Sequence, residues 1–221
     1  MKNDPAHHIA IAQLIIISGF MLFLMIFAFF VIDTGYTGRA VDSTAYILES
    51  IPEQCNVSVQ AGYSIISIPC ISTAENINLI FNGASVGAMY QYVPGDSDSW
   101  RVYNPNLPSY VYSDLEYVGR KVGYILIMNS SFTKSINGTK VPYTNIGLVQ
   151  GWNLIGYPTN VTRNVSDAFS SINTSVTQVL MYNVSSGNFM VYNNPGGDLE
   201  QIIPEQGYWI NISQNTVWVV S

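Results

Sequence analysis

Polar residues are missing from one long stretch of this chain and alternate with apolar ones through much of the rest. Residues 9–32 carry no charged side chain, and only Gln13, Ser18 and Gly19 interrupt the apolar run. As a helix those roughly 24 residues extend about 36 Å, longer than the ~30 Å hydrocarbon core of a bilayer. The expected element is a transmembrane helix. A secretory signal peptide has a shorter apolar region, roughly 7–15 residues, between a basic start and a small-residue cleavage site. Here Lys2 is offset by Asp4, and Gly38-Arg39-Ala40 is a poor site.

Beyond residue 60 the period of the pattern is two. Tyr208, Ile210 and Ile212 face one way and Trp209, Asn211 and Ser213 the other, as in a half-buried strand. Hairpins are expected around Ser185-Ser186-Gly187-Asn188, between strands at 179–183 and 189–192, and around Pro94-Gly95-Asp96-Ser97. Helical spacing is brief: Ile77, Ile80 and Phe81 in one place, and Val165, Ala168, Phe169 and Ile172 in another, with Asn164 as an N-cap. Val41, Ala45, Leu48 and Ile51 allow a short amphipathic helix that Pro52 ends.

The pattern is also duplicated. Gly62-Tyr63-Ser64-Ile65-Ile66-Ser67-Ile68-Pro69 returns as Gly151-Trp152-Asn153-Leu154-Ile155-Gly156-Tyr157-Pro158 at an offset of 89. Met89-Tyr90 answers Met181-Tyr182, and Tyr103-Asn104-Pro105 answers Tyr192-Asn193-Asn194-Pro195. Asp114-Leu115-Glu116 matches Asp198-Leu199-Glu200, and Gly123-Tyr124-Ile125-Leu126 matches Gly207-Tyr208-Trp209-Ile210, both at an offset of 84. Ordered matches with one localised change of spacing indicate an internal repeat.

The expected fold class is therefore an N-terminal transmembrane α-helix followed by a mainly-β ectodomain of two homologous small β-rich domains, each with one short helix. Boundaries fall at 1–8 for a cytoplasmic tail or leader, 9–32 for the hydrophobic helix and 33–59 for a partly helical stalk. The first β-rich domain spans 60–136, a linker 137–148, and the second domain, its duplicate, 149–221.

Composition narrows the function. Of 221 residues, 8 are Lys or Arg and 14 Asp or Glu, so the net charge is −6 and only 10% of the chain is charged. That balance offers no basic footprint for phosphates, which excludes a nucleic-acid partner. With 48% hydrophobic and 13% aromatic residues the chain has the means to build a core. Asn-X-Ser/Thr sequons stand at Asn56, Asn129, Asn137, Asn160, Asn164, Asn173, Asn183 and Asn211. Composition alone would supply roughly three, so they are candidate N-glycan acceptors, all beyond the apolar run. Cys55 and Cys70 are spaced to close a short loop as a disulfide in an oxidising compartment. Both features favour an extracellular C-terminal part.

Catalytic chemistry is sparse. His7 and His8 precede the apolar run, away from the ectodomain, which leaves no Ser-His-Asp set or histidine metal site there. No catalytic, cofactor-binding or metal-binding residue is assigned, and an enzyme is not expected. Asp114/Glu116 and Asp198/Glu200 recur in both repeats, which favours a structural use of each pair over a glycosidase site. Asp96-Ser97-Asp98 starts like a calcium loop but lacks the glycine and distal glutamate of an EF-hand. The 15 Tyr and 4 Trp have two readings, sugar-stacking platforms or cross-strand and core packing, and the matched positions of Tyr90, Tyr103, Tyr182 and Tyr192 favour packing.

At its repeat motifs the chain resembles the tandem β-domain modules of archaeal, and some bacterial, cell-surface glycoproteins, whose units open with a G-[WY]-N-L-[IV]-x-x-P strand and close with a G-Y-W strand. Residues 151–158 and 207–209 match that pattern; residues 62–69 and 123–124 match it without the Asn and the final Trp. Residues 11–20 resemble an archaeal type IV pilin-like N-terminus, although the leader has one Lys and no early helical Glu. These resemblances imply a membrane-anchored, N-glycosylated extracellular structural protein, with a pilin-like filament subunit as one form. The alternatives are a carbohydrate-binding or adhesive surface protein and an accessory protein of a surface filament machine. Implied partners are membrane lipid or copies of the chain through the N-terminal helix, other cell-surface proteins and N-linked glycans. Cleavage near Ala6 or a retained N-terminus, and filament or isolated anchor, stay open.

Overall fold

A computed structural model describes residues 51–221 except 72 and 109, all within one compact unit, Ser50–Ser221. Its first half runs β1 (Pro52–Val59), β2 (Gly62–Ile66), β3 (Glu75–Asn76), the four-residue helix Ile77–Ile80, β4 (Val86–Tyr92), β5 (Trp100–Tyr103), β6 (Tyr117–Val118), β7 (Tyr124–Met128) and β8 (Phe132–Thr139). Its second half repeats that order. It runs β9 (Thr144–Leu148), β10 (Gly151–Gly156), β11 (Arg163–Asn164), the helix Val165–Ala168, a 3-10 turn Ser170–Ile172, β12 (Val176–Asn183) and β13 (Asn188–Asn193). β14 (Gly196–Gly197), β15 (Gln201–Ile202), β16 (Gly207–Ile212) and β17 (Thr216–Val220) complete it.

The topologies correspond, with the two-residue β14 added at the edge of the second sheet. The first sheet has the order β2-β7-β4-β5 and the second β10-β16-β12-β13-β14, all antiparallel. Each half adds a ribbon, β1 with β8 or β9 with β17, and a small pair, β3 with β6 or β11 with β15. The chain turns from ribbon to sheet at Gly62 and Gly151, whose φ values of +100° and +94° disfavour any residue with a Cβ.

Each half buries its own core between sheet, ribbon and helical turn. In the first, Val57, Val59, Ile68, Ile77, Met89, Leu115, Val118, Tyr124 and Leu126 pack together. In the second, Ile146, Leu148, Tyr157, Val165, Phe169, Val179, Leu199, Ile202, Tyr208, Ile210 and Trp218 do so. The helical turns present the expected apolar residues inward, and the second continues as the 3-10 turn so that Ile172 also reaches the core. Asn76 caps its helix by accepting from Asn78 N–H, whereas Asn164 stands at the N-cap without a side-chain cap bond. Carbonyls at the C-terminal ends of the two helical turns have side-chain donors from the ribbons: Lys134 Nζ of β8 donates to Leu79 O and Trp218 Nε1 of β17 to Ala168 O. Corresponding ribbon positions thus reach neighbouring carbonyls of the turn with an ammonium in one repeat and an indole in the other.

The expected architecture of a transmembrane helix followed by an ectodomain is corrected here. Among the described residues no helix is long and apolar enough to cross a membrane. The longest have four residues, or about 6 Å of rise against the ~30 Å needed. The apolar run 9–32 on which that expectation stood, the leader 1–8, the site near Ala6 and residues 41–50 of the amphipathic segment lie outside the described residues. The chain around the expected stalk and linker is also strand: Pro52–Val59 pairs along its whole length with Phe132–Thr139, and Thr144–Leu148 with Thr216–Val220. Alternating Cys55, Val57 and Val59 are buried, which is why that segment joins the first core.

Candidate functional site

The two sheets meet through their outer faces around an approximate two-fold relation. Ser67 N–H donates to Glu205 O (2.8 Å) while its counterpart Gly156 N–H donates to Lys121 O (3.0 Å). Bridges Ile66 to Gln206 and Ile155 to Val122 repeat the same reciprocity. Backbone touches backbone here because the close-approach positions are glycine. A Cβ on Gly123 would lie 2.6 Å from Ile155 O, and one on Gly207 would lie 2.8 Å from both Ile66 O and Ile65 Cγ2. Arg120 Nη2 reaches across to Pro158 O (2.7 Å) and Asn160 Nδ2 to Glu53 Oε1 (2.9 Å).

Away from this glycine seam the sheets leave a cleft of about 350 Å³ lined by Tyr92, Trp152, Leu180, Phe189 and Trp209. The strand registers explain the gathering. Trp152 sits opposite Asn211, Leu154 opposite Trp209, Trp209 opposite Leu180, and Tyr182 opposite Phe189, so these side chains share one sheet face. From the other sheet Tyr92 and Trp100, themselves cross-strand partners, meet Trp209 at ring-centroid distances of 5.2 and 6.2 Å. Trp152 and Trp209 stand nearly perpendicular, 88° apart at 6.3 Å, giving the cleft a floor and a wall. Beside them Tyr63 and Tyr182 pack edge to face at 4.6 Å, and burial together with the neighbouring Tyr182 raises the Tyr63 phenol pKa.

Not one of the five lining residues is a carboxylate, guanidinium or ammonium. Polar groups enter along the next row of the same face, where Asn211 lies between Trp152 and Gln178, and Gln178 Nε2 donates to Asn193 Oδ1 (2.7 Å). An apolar platform edged by neutral amides suits a ligand that is itself neutral, with one apolar face and a hydroxyl rim.

The residues singled out from the sequence are spread around this cleft. Cys55 and Cys70 form a disulfide, both buried, with Cα atoms 5.7 Å apart, and it ties β1 to the chain after β2. Asn56, Asn129, Asn137, Asn160, Asn164 and Asn173 are exposed, and Asn183 and Asn211 half-buried. Asn211 alone among the eight lies beside Trp152. The duplicated carboxylates serve their own repeats: Asp114 Oδ1 accepts from Val102 N–H (2.6 Å) and Asp198 Oδ1 from Val191 N–H (2.5 Å). Glu116 accepts from Tyr112 Oη. Asp96 is turned to Arg101 (2.7 Å) and to the Asp98 amide (3.2 Å). Among the described residues no three His, Cys, Asp or Glu side chains converge as a metal site.

Tyr90 and Tyr182, read as packing residues from their repeated positions, pack here on the cleft side: Tyr90 contacts Trp100 and Tyr182 contacts Phe189. Nothing in the sequence marks Trp152, Leu180 and Phe189 as binding residues; Trp152 stands there only as part of the repeat motif. The available signal was the outward-facing Trp209 on a strand whose inward neighbours are all apolar. No protein-family model, no curated protein and no solved structure matches this chain.

Proposed function

We propose that this chain is a non-catalytic, adhesive surface protein that works outside the cell and holds carbohydrate in the cleft between its two repeats. The observation that carries the reading is the convergence of Trp152, Trp209 and Tyr92, from both sheets, on an uncharged cleft of about 350 Å³. Sugar rings present C–H groups on one face, which stack on aromatic rings, and hydroxyls at the rim, which pair with amides such as Asn211 and Gln178. The buried disulfide and the six exposed sequons support an oxidising, glycosylating compartment.

A structural surface subunit is the second reading. Its support is the glycine seam, where reciprocal backbone hydrogen bonds join the two repeats as a stiff block. A glycan array probed with the full-length chain separates the two. Binding to neutral oligosaccharides that disappears in Trp209→Ala is the expected result, and absence of binding to every arrayed glycan leaves only the structural role.

A further inference from the structure

Asn211 joins two properties that no other residue combines: it is the acceptor of an Asn-Ile-Ser sequon, and its side chain belongs to the face that lines the cleft. Its direct cross-strand partner is Trp152 on one side and Gln178 on the other, and Trp209 stands two residues before it on the same face. Directly opposed side chains on an antiparallel pair start about 5 Å apart. A sugar attached to Asn211 Nδ2 therefore begins within reach of both indoles. Inward of the strand lie Ile210 and Ile212, 0% and 1% exposed, so the attached chain stays on the outer face. Asn211 is itself half-exposed there, at the polar row beside Trp152, which puts the first sugar at the rim of the cleft.

We infer that a glycan on Asn211 lies across Trp152 and Trp209 and fills the cleft as an intramolecular ligand, so that glycosylation at this one sequon closes the site to external sugar. The inference rests on the carbohydrate-binding reading of the cleft and adds a covalent occupant to it. Through its tether an attached sugar acts at an effective concentration of about millimolar or more, which outcompetes the weak binding typical of a single external ring. The other sequons do not share this geometry, because Asn137 and Asn160, for example, are exposed and occupied in hydrogen bonds at the ribbon and the inter-repeat rim.

The test uses the full-length chain secreted from a host that N-glycosylates, with peptide mass spectrometry at each sequon and acrylamide quenching of tryptophan fluorescence. Of the 4 Trp, Trp218 is fully buried, and Trp152 and Trp209 are two of the remaining three. Shielding those two lowers the quenching slope by about twofold relative to Ser213→Ala, which removes the sequon and keeps Asn211. Ser213→Thr, which preserves the sequon, quenches like the wild type. Two results overturn the inference: Asn211 unmodified while Asn137 is glycosylated, or Asn211 glycosylated with quenching equal to that of Ser213→Ala. The carbohydrate-binding reading fails separately, if the Ser213→Ala chain with its open cleft binds no arrayed glycan.

Discussion

Replacing Gly207 by Ala tests whether the seam between the repeats is set by backbone contact. The added Cβ would lie 2.8 Å from Ile66 O, 2.8 Å from Ile65 Cγ2 and 3.2 Å from Gly123 Cα. Relieving the contact with Ile66 O to an ordinary 3.4 Å needs a shift of about 0.6 Å. Neither side yields easily, because Ile66 is paired with Tyr124 inside its own sheet and bridged to Gln206 across the seam. Overpacking of this kind costs about 1–3 kcal/mol, and weakening the Ser67 to Glu205 hydrogen bond adds about 1 kcal/mol. Ala returns about 0.4–1 kcal/mol by restricting the unfolded chain. The net expectation is a loss near 2 kcal/mol, or about 4–8 °C in Tm for a unit of this size. Urea unfolding followed by tryptophan fluorescence measures it. Gly147→Ala is the control, since its Cβ would meet nothing within 4 Å. Gly207→Ala as stable as Gly147→Ala refutes the seam.

Other consequences follow from the same geometry. Reducing the Cys55–Cys70 disulfide, which spans 15 residues, is expected to lower stability by about 3 kcal/mol, read as a shift of the urea midpoint with and without reductant. Asp198→Ala removes the acceptor of Val191 N–H and is expected to cost about 1 kcal/mol, with Asp198→Asn milder because it keeps an acceptor. Burial pushes the Tyr124 phenol up to about 12 and moves Tyr208 in the same direction. The fold therefore prefers the neutral phenols. Their contribution is complete below pH 10 and is lost as pH rises from 10 toward 12, at roughly 1.4 kcal/mol per pH unit for each fully coupled group. Absorbance at 295 nm should show two tyrosines ionising only as the chain unfolds, and titration of all 15 before unfolding would contradict this.

Much of the local structure was legible in the residues. Period-two alternation marks β16, where Tyr208, Ile210 and Ile212 are at most 1% exposed, and the duplicated motifs mark the strands that occupy equivalent places. The ribbons were harder. Asn56 and Ser58 alternate with Val57 and Val59, but strands rich in Asn, Ser and Gly have weak intrinsic preference, and only pairing with β8 and β17 fixes them. The meeting of the two sheets was hardest, because face-to-face packing depends on inter-sheet geometry that no local period encodes. A trace of it is present: Ile65 with Ile66, and Leu154 with Ile155, are apolar on both faces of their strands, and all four are buried. The cleft inherits that difficulty in part: Trp152, Trp209 and Phe189 come together through the pairing of β10, β16, β12 and β13, but Tyr92 of β4 joins them only when the seam closes. The apolar run at 9–32, the strongest single signal in the sequence, lies outside the described residues.

The central claim is that the cleft between the repeats receives a sugar ring on Trp152 and Trp209. Saturation-transfer NMR on the Ser213→Ala chain, with a neutral oligosaccharide selected from the array, tests it most directly. Saturation is expected to reach the C–H protons of one ring face and to vanish in the Ser213→Ala/Trp209→Ala chain, while Gly147→Ala on the same background leaves it unchanged. Equal transfer with and without Trp209 would contradict it.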